Sequence, residues 1–288
     1  MEFLKKTKEF LLNFFNLTRI LSNVKNIAVV FLSFYLSGSN LDWRRLFIGI
    51  ISLSFICSAI YIYNNLSDAK IDSYNKNKNH YSKSVRYFGE KNTSFLAVIF
   101  TIAGLYFGFT INLYFLTALL ALLITGFLYS FQYTRFKERV ILDILFGATL
   151  TFFFRFIASW LIFSISMPPL SAVMFLISAK SAGYMLYKEV DRASLLSLKI
   201  KNSITVVSKK TIVIISALLW LVSFSSFIFL CLEKGLIKLL NFVPFAIPPL
   251  TVIYLLTLNK VKTQIRYLRV IGFCYWILAI IITWVLFL

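Results

Sequence analysis

Asn64, Asp68 and Asp72 stand at i, i+4 and i+8, a spacing that sets all three side chains along one face if the segment is helical. Two carboxylates and an amide are hard oxygen donors suited to Mg2+, which keeps several waters and is usually completed by phosphate oxygens of a substrate. A diphosphate leaving group is the natural partner. A polar helix end with solvated carboxylates meets the same spacing, so the motif needs company before it carries chemistry.

That company is basic. Lys76, Lys78, His80, Lys83 and Arg86 follow the motif and could hold phosphates as charge-assisted donors; alone, they read only as a membrane-topology signal. Arg135, Lys137 and Arg139 come next, then Asp143. Arg155 lies about 18 Å further along the same helix at 1.5 Å per residue. An arginine at that depth is costly and is expected to face the bundle interior, where it either accepts a lipid phosphate or pairs with an acid. Lys180 reads as a snorkelling or structurally paired lysine. Glu189 and Asp191 open a long polar segment; they could supply a second metal, orient a substrate hydroxyl, or act as solvated caps.

Other chemistries are poorly served. His80 is the sole histidine, which excludes a His-pair metal site and argues against a Ser-His-Asp triad. Cys57, Cys231 and Cys274 lie in or beside apolar runs without paired spacing, so neither a disulfide framework nor a zinc site is indicated.

The elements that must position these residues are membrane helices. Of 288 residues 59% are hydrophobic and the mean hydropathy is +0.82, more than a soluble domain carries. The formal charge of +19 falls between apolar runs, where it sets topology, so no nucleic acid partner is expected. Windows approaching the roughly 20 apolar residues of a span run Val24–Gly38, Leu46–Tyr63, Phe95–Phe109, Leu113–Phe131, Val140–Phe163, Leu170–Leu186, Thr211–Leu232, Leu239–Leu258 and Val270–Leu288. Pro244, Pro248 and Pro249 should kink the eighth. The expected fold is an all-α membrane protein, a bundle of about nine transmembrane helices. With the N-terminus cytoplasmic and the C-terminus outside, 24 of the 30 Lys and Arg fall on the cytoplasmic side, as the positive-inside rule requires. The working face then lies toward the cytoplasm of a multi-pass cell (inner) membrane protein. Residues 1–23 form a basic N-terminal segment in which Phe10, Leu11, Phe14 and Phe15 make either an amphipathic surface helix or a disordered tail. Residues 24–288 read as one transmembrane catalytic domain.

Nine spans with Asn64-Asn65-x-x-Asp68-x-x-x-Asp72 after the second resemble the UbiA-type intramembrane prenyltransferase superfamily, whose signature is Asn-Asp-x-x-Asp-x-x-x-Asp. The sequence departs at Asn65, where an Asp is usual, a change expected to weaken or reshape metal binding. Several segments are similar to the decaprenyl-phosphate phosphoribosyltransferase branch: Val24-Lys25-Asn26 to its Trp-Val-Lys-Asn, His80-x-x-Lys83-x-x-Arg86 to its His-Pro-x-Lys-x-x-Arg-Pro without the prolines. Tyr129-Ser130, Lys137, Asp143 and Arg155 resemble its Tyr-Ser, Lys, Asp and Arg series. Tyr187-Lys188-Glu189 resembles a Tyr-Ala-Glu element, although the Lys-Arg pair expected before it is missing in register.

The resemblance implies Mg2+-assisted transfer of 5-phosphoribosyl from phosphoribosyl pyrophosphate to a polyprenyl phosphate, yielding a precursor for cell-surface glycans. Asn64, Asp68 and Asp72 would bind the metal. Asp68, Asp72, Lys137 and Arg155 would be catalytic, and Lys25, Lys83, Arg86, Tyr129 and Glu189 would bind substrate phosphates. Two rivals remain: a prenyl diphosphate donor with a small aromatic acceptor, of whose second acidic motif Asp191-Arg192 retains only the first acid, and a transporter or degenerate lipid-binding protein.

Overall fold

The computed structural model describes residues 2–74 and 78–236 together with isolated positions from 270 to 281. The eighth and ninth expected spans and the proline-rich segment therefore lie outside the described residues, apart from those isolated positions. Among the described residues every regular element is helical: α1 (Glu2–Thr18), α2 (Val24–Ser37), α3 (Trp43–Ser73), α4 (Asn79–Phe88), α5 (Glu90–Phe109), α6 (Leu113–Ser130), α7 (Leu142–Ile144), α8 (Leu150–Leu161), α9 (Leu170–Val190), α10 (Arg192–Ser197), α11 (Ser203–Val206) and α12 (Lys209–Glu233). A π-helical turn, Leu145–Thr149, joins α7 to α8 without a break. Each of the first seven expected spans falls on a helical stretch, the fifth on α7, the π turn and α8 together. Among the described residues six helical stretches are long and apolar enough to cross a membrane, and α2 is a shorter apolar helix.

Caps explain several boundaries. Asp42 accepts from the Arg45 amide at 3.1 Å to start α3. Asn112 accepts from the Phe115 amide at 2.7 Å to start α6 and donates to the Leu161 carbonyl at 2.8 Å, so one side chain caps one helix and satisfies the end of another. Gly38 ends α2 at φ 63°, a left-handed conformation that suits glycine.

Lipid offers no hydrophobic drive between helices, so the bundle is held by close packing. A Cβ on Gly126 of α6 would come within 2.6 Å of the Ile60 side chain on α3, which shows how closely these helices approach. One buried cluster joins Val30, Leu53, Ile56, Phe115, Leu119, Leu122, Ala158 and Ile162 from α2, α3, α6 and α8. A second joins Val29, Phe152, Phe156, Trp160, Ala172, Leu176 and Leu230 from α2, α8, α9 and α12. Phe95, Ile102 and Tyr106 on α5 and Leu218, Leu221 and Phe229 on α12 are exposed, the outer surface expected where hydrocarbon is the solvent.

The N-terminal segment is helical. Phe10 packs edge-on against Phe88 at 5.6 Å and Phe14 against Phe100 at 6.4 Å, so the helix touches α4 and α5, while Phe10, Leu11 and Phe15 keep much of their surface exposed. Helix α3 runs on past the expected end of its span to Ser73. Asn64, Asp68 and Asp72 therefore do share a helix.

Candidate active site

At this polar end of α3, two hydrogen bonds lock the helix to α6. Ser130 Oγ donates to Asn64 Oδ1 at 2.6 Å, and Ser67 Oγ donates to the Ser130 carbonyl at 2.7 Å. The chain then turns through Arg135 at φ 37° into a short 3-10 turn, Phe136–Glu138, a backbone conformation that costs energy in a non-glycine residue. That turn delivers Lys137, only 7% exposed, onto Asp68. Arg135 reaches the same oxygen, Oδ1, at 3.9 Å and also pairs with Glu138. Neither cation engages Asp68 Oδ2.

Asp72, one turn on, is 5% exposed and lies in the fields of Asp68, Lys78, Arg19 and Lys137. Lys78 bridges to the far side of the site, pairing with Asp191 at 2.9 Å at the end of α9. Burial alone would lower the Lys78 ammonium, but Asp191, Tyr187 and Asp72 outweigh it and hold it above the ordinary lysine range. Glu189 accepts a forked pair of bonds from Arg192, at 2.8 and 2.7 Å, and Arg192 continues to the Val207 carbonyl at 2.9 Å. Asp143, fully buried, accepts from the Ser203 hydroxyl and fastens the start of α11 beneath α7.

Asn65, the departure from the family signature, has a different occupation. It is fully buried, donates to the Leu17 carbonyl at 2.9 Å and accepts from Arg19. Arg19 also lies over the Tyr81 ring at 4.0 Å. The Asn65 side chain is thus spent clasping the N-terminal helix, and the expected loss of a metal ligand there is answered by a tertiary contact.

Other expected residues fall in three places. Tyr129 meets Tyr184 hydroxyl to hydroxyl at 2.7 Å, in the space left by Gly147 of the π turn, where a Cβ would come within 2.5 Å of Tyr184 Oη. Lys25 and Arg155 sit deeper, around Tyr61. Lys83 and Arg86 are exposed on the side of α4 opposite its packed residues Ser82, Ser84 and Val85; the structure does not bring them to the cluster.

Arg19 and the bridging role of Lys78 were missed by sequence reasoning. A lone arginine between the basic start of α1 and Lys25 was the available signal for Arg19. Nothing local foretold that Lys78 would reach Asp191.

Among the described residues no group of three or more His, Cys, Asp or Glu gathers as a metal cage. The fit for Mg2+ rests on Asp68, Asp72 and Asn64, an all-oxygen set of two carboxylates one turn apart plus an amide. Such partial sets suit a cation whose shell is completed by water and substrate.

The arrangement has close counterparts in overall fold. A UbiA homologue from Archaeoglobus fulgidus bound to GPP and Mg2+ superposes with a TM-score of 0.73 at 16% identity, over 93% of this chain and 99% of that one. The apo structure of a UbiA homologue from Aeropyrum pernix K1 does so with 0.75 at 16%, over 91% and 98%. A structure of digeranylgeranylglyceryl phosphate synthase gives 0.69 at 16%, over 95% and 98%. No curated protein matches the sequence. The UbiA prenyltransferase family model matches residues 26–278, nearly the whole chain and both acidic elements of the site; the protein therefore belongs to the UbiA prenyltransferase family and is a membrane-embedded transferase.

Proposed function

We propose that this enzyme transfers a 5-phosphoribosyl group from phosphoribosyl pyrophosphate to a polyprenyl phosphate, with a single catalytic domain over residues 24–288 and its site facing the cytoplasm of the cell membrane. The observation that carries the reading is the interleaving of acids and bases at one end of the bundle, Asp68 beneath Lys137 and Arg135, Asp72 and Asp191 about Lys78. Carboxylates alone would repel a polyphosphate and cations alone would need no metal.

Asn64, Asp68 and Asp72 would hold Mg2+, which supplies charge neutralisation for a departing pyrophosphate. Lys137, buried, and Arg135, partly exposed, stand beside that charge already oriented, which is where a preorganised site gains most of its rate. Lys137 would exchange Asp68 for a phosphate oxygen of the donor. Lys83 and Arg86, exposed at the same end, attract the donor at longer range. Glu189, held by Arg192, and Tyr129, held by Tyr184, would bind the substrate phosphates. A lipid phosphate guided between the helices toward Arg155 attacks the anomeric carbon, so no side-chain nucleophile is required.

Purified protein in detergent, given polyprenyl phosphate and labelled phosphoribosyl pyrophosphate, should form a lipid-soluble label only with Mg2+. Absence of that label beside a working control enzyme sinks the reading. The second reading, prenyl transfer to a small acceptor, is supported by the A. fulgidus homologue bound to GPP and Mg2+ and by that homologue bound to DMAPP and Mg2+. Pyrophosphate release that follows a prenyl diphosphate in place of the sugar donor selects it.

A further inference from the structure

Two helical turns inside the acid–base cluster lies a charged group of another kind. Lys25 from α2, Arg155 from α8 and Lys180 from α9 surround Tyr61 of α3. Lys25 donates to the Tyr61 hydroxyl. Arg155 lies against Tyr61 and Cys57 and over the Phe152 ring at 5.8 Å. Lys180 has Lys25, Tyr61 and Arg155 as its charged and polar neighbours. Among the described residues none of the three cations pairs with a carboxylate. Arg155 is 4% exposed, and its Nε is buried with no hydrogen-bond partner.

Three basic side chains converging on a phenol inside a membrane bundle repel one another in a low dielectric. An arginine cannot relieve this by losing its proton. The depth is informative too. Tyr61 precedes Asp68 by seven residues on the same face of α3, about 10 Å along the axis. Lys180 precedes Asp191 by eleven, about 16 Å. An anion at this level, flanked by the apolar clusters of the bundle, would be the head of a lipid chain. One arginine fork, two ammonium groups and a phenol hydroxyl supply donors on several sides, which suits the oxygens of a tetrahedral dianion. The absence of acid separates this place from the metal-dependent one above it.

We propose that Lys25, Arg155, Lys180 and Tyr61 form a metal-independent intramembrane site for the phosphate-monoester head of a polyprenyl lipid. The identification of that lipid as the acceptor rests on the function proposed above; the existence of the anion site does not. In the transfer step one phosphate oxygen held here forms the bond to the anomeric carbon while the bond from that carbon to pyrophosphate breaks, the electron pair leaving with pyrophosphate.

The test is binding of farnesyl phosphate to the purified full chain in EDTA, with farnesol and inorganic phosphate as comparison ligands. Farnesyl phosphate should bind well above both. Lys180→Met and Tyr61→Phe should each weaken it about tenfold, the scale of one hydrogen bond to a charged group, and Lys180→Arg should restore it. Asp68→Asn with Asp72→Asn should leave it unchanged. Lys180→Met should also raise the melting temperature of the ligand-free protein, because an unopposed charge is removed; a lysine in a structural ion pair would lower it. Unaltered binding in both Lys180→Met and Tyr61→Phe, a requirement for Mg2+, or inorganic phosphate binding as tightly as farnesyl phosphate would each overturn the proposal. Failure of phosphoribosyl transfer with farnesyl phosphate still bound would sink only the function.

Discussion

The two charged regions of the molecule are built from similar cations but differ in what opposes them. At the polar end of α3 cations meet acids, Lys137 on Asp68 and Lys78 on Asp191. Two turns deeper, Lys25, Arg155 and Lys180 share a phenol and a thiol. The first region can therefore exchange partners, carboxylate for phosphate and ammonium for metal, at little net charge. The second can only gain an anion. The difference teaches that charge in the first region is balanced within the protein, whereas in the second it is left for a ligand to balance, the division of labour that the proposed transfer requires.

The comparison breaks most visibly at Asp68. Asp68→Asn should lower transfer by about 10³-fold, as for loss of a principal electrostatic stabiliser, while farnesyl phosphate binding persists; equal loss of both would merge the two regions into one. Arg155→Met should reverse the pattern. Its KM for the lipid phosphate should rise by about 10²-fold, the upper scale of a charge-assisted bond, with the KM for the donor unmoved.

Lys78 sharpens the polar half. Its ammonium is held above the ordinary lysine range, so its contribution to stability is complete below the ordinary lysine pKa and is lost only as pH rises through the elevated value. The difference in melting temperature between wild type and Lys78→Met should stay level up to about pH 10 and shrink above it; a difference that does not change above about pH 10 would show that the Asp191 pairing does not persist. The smallest effect is expected at Asn65. Asn65→Asp should change the Mg2+ concentration for half-maximal activity by less than about twofold, because that side chain turns to Leu17 and Arg19, and hydrogen bonds of that kind act on stability at about 1 kcal/mol. A large drop in the Mg2+ requirement would place Asn65 back among the ligands.

Much of the fold was legible. Apolar run length located the second to seventh spans and a shorter apolar helix at the first, and the i, i+4, i+8 spacing put Asn64, Asp68 and Asp72 on one helix face because both depend only on backbone periodicity. The depth of Arg155 and its inward orientation followed from the cost of leaving a guanidinium in hydrocarbon. The site was less legible. Lys83 and Arg86 matched a family pattern yet lie on the exposed side of α4, since residue type does not say which face a neighbouring helix will cover. The N-terminal segment left helix and tail open until Phe10 and Phe14 found Phe88 and Phe100.

What residue order determined by itself is the membrane as solvent, the helical periods within it and the chemistry available on α3. What only the tertiary structure decided is partnership: that Lys137 turns onto Asp68, that Lys78 spans to Asp191, that Asn65 serves the N-terminal helix, and that Lys25, Arg155 and Lys180 converge without an acid among the described residues. The physical reason is range. Helix formation and membrane insertion are read from neighbours within a few turns, whereas the sign and distance of a facing charge depend on how α2, α3, α8 and α9 pack, and electrostatics in a low dielectric makes those distances decisive.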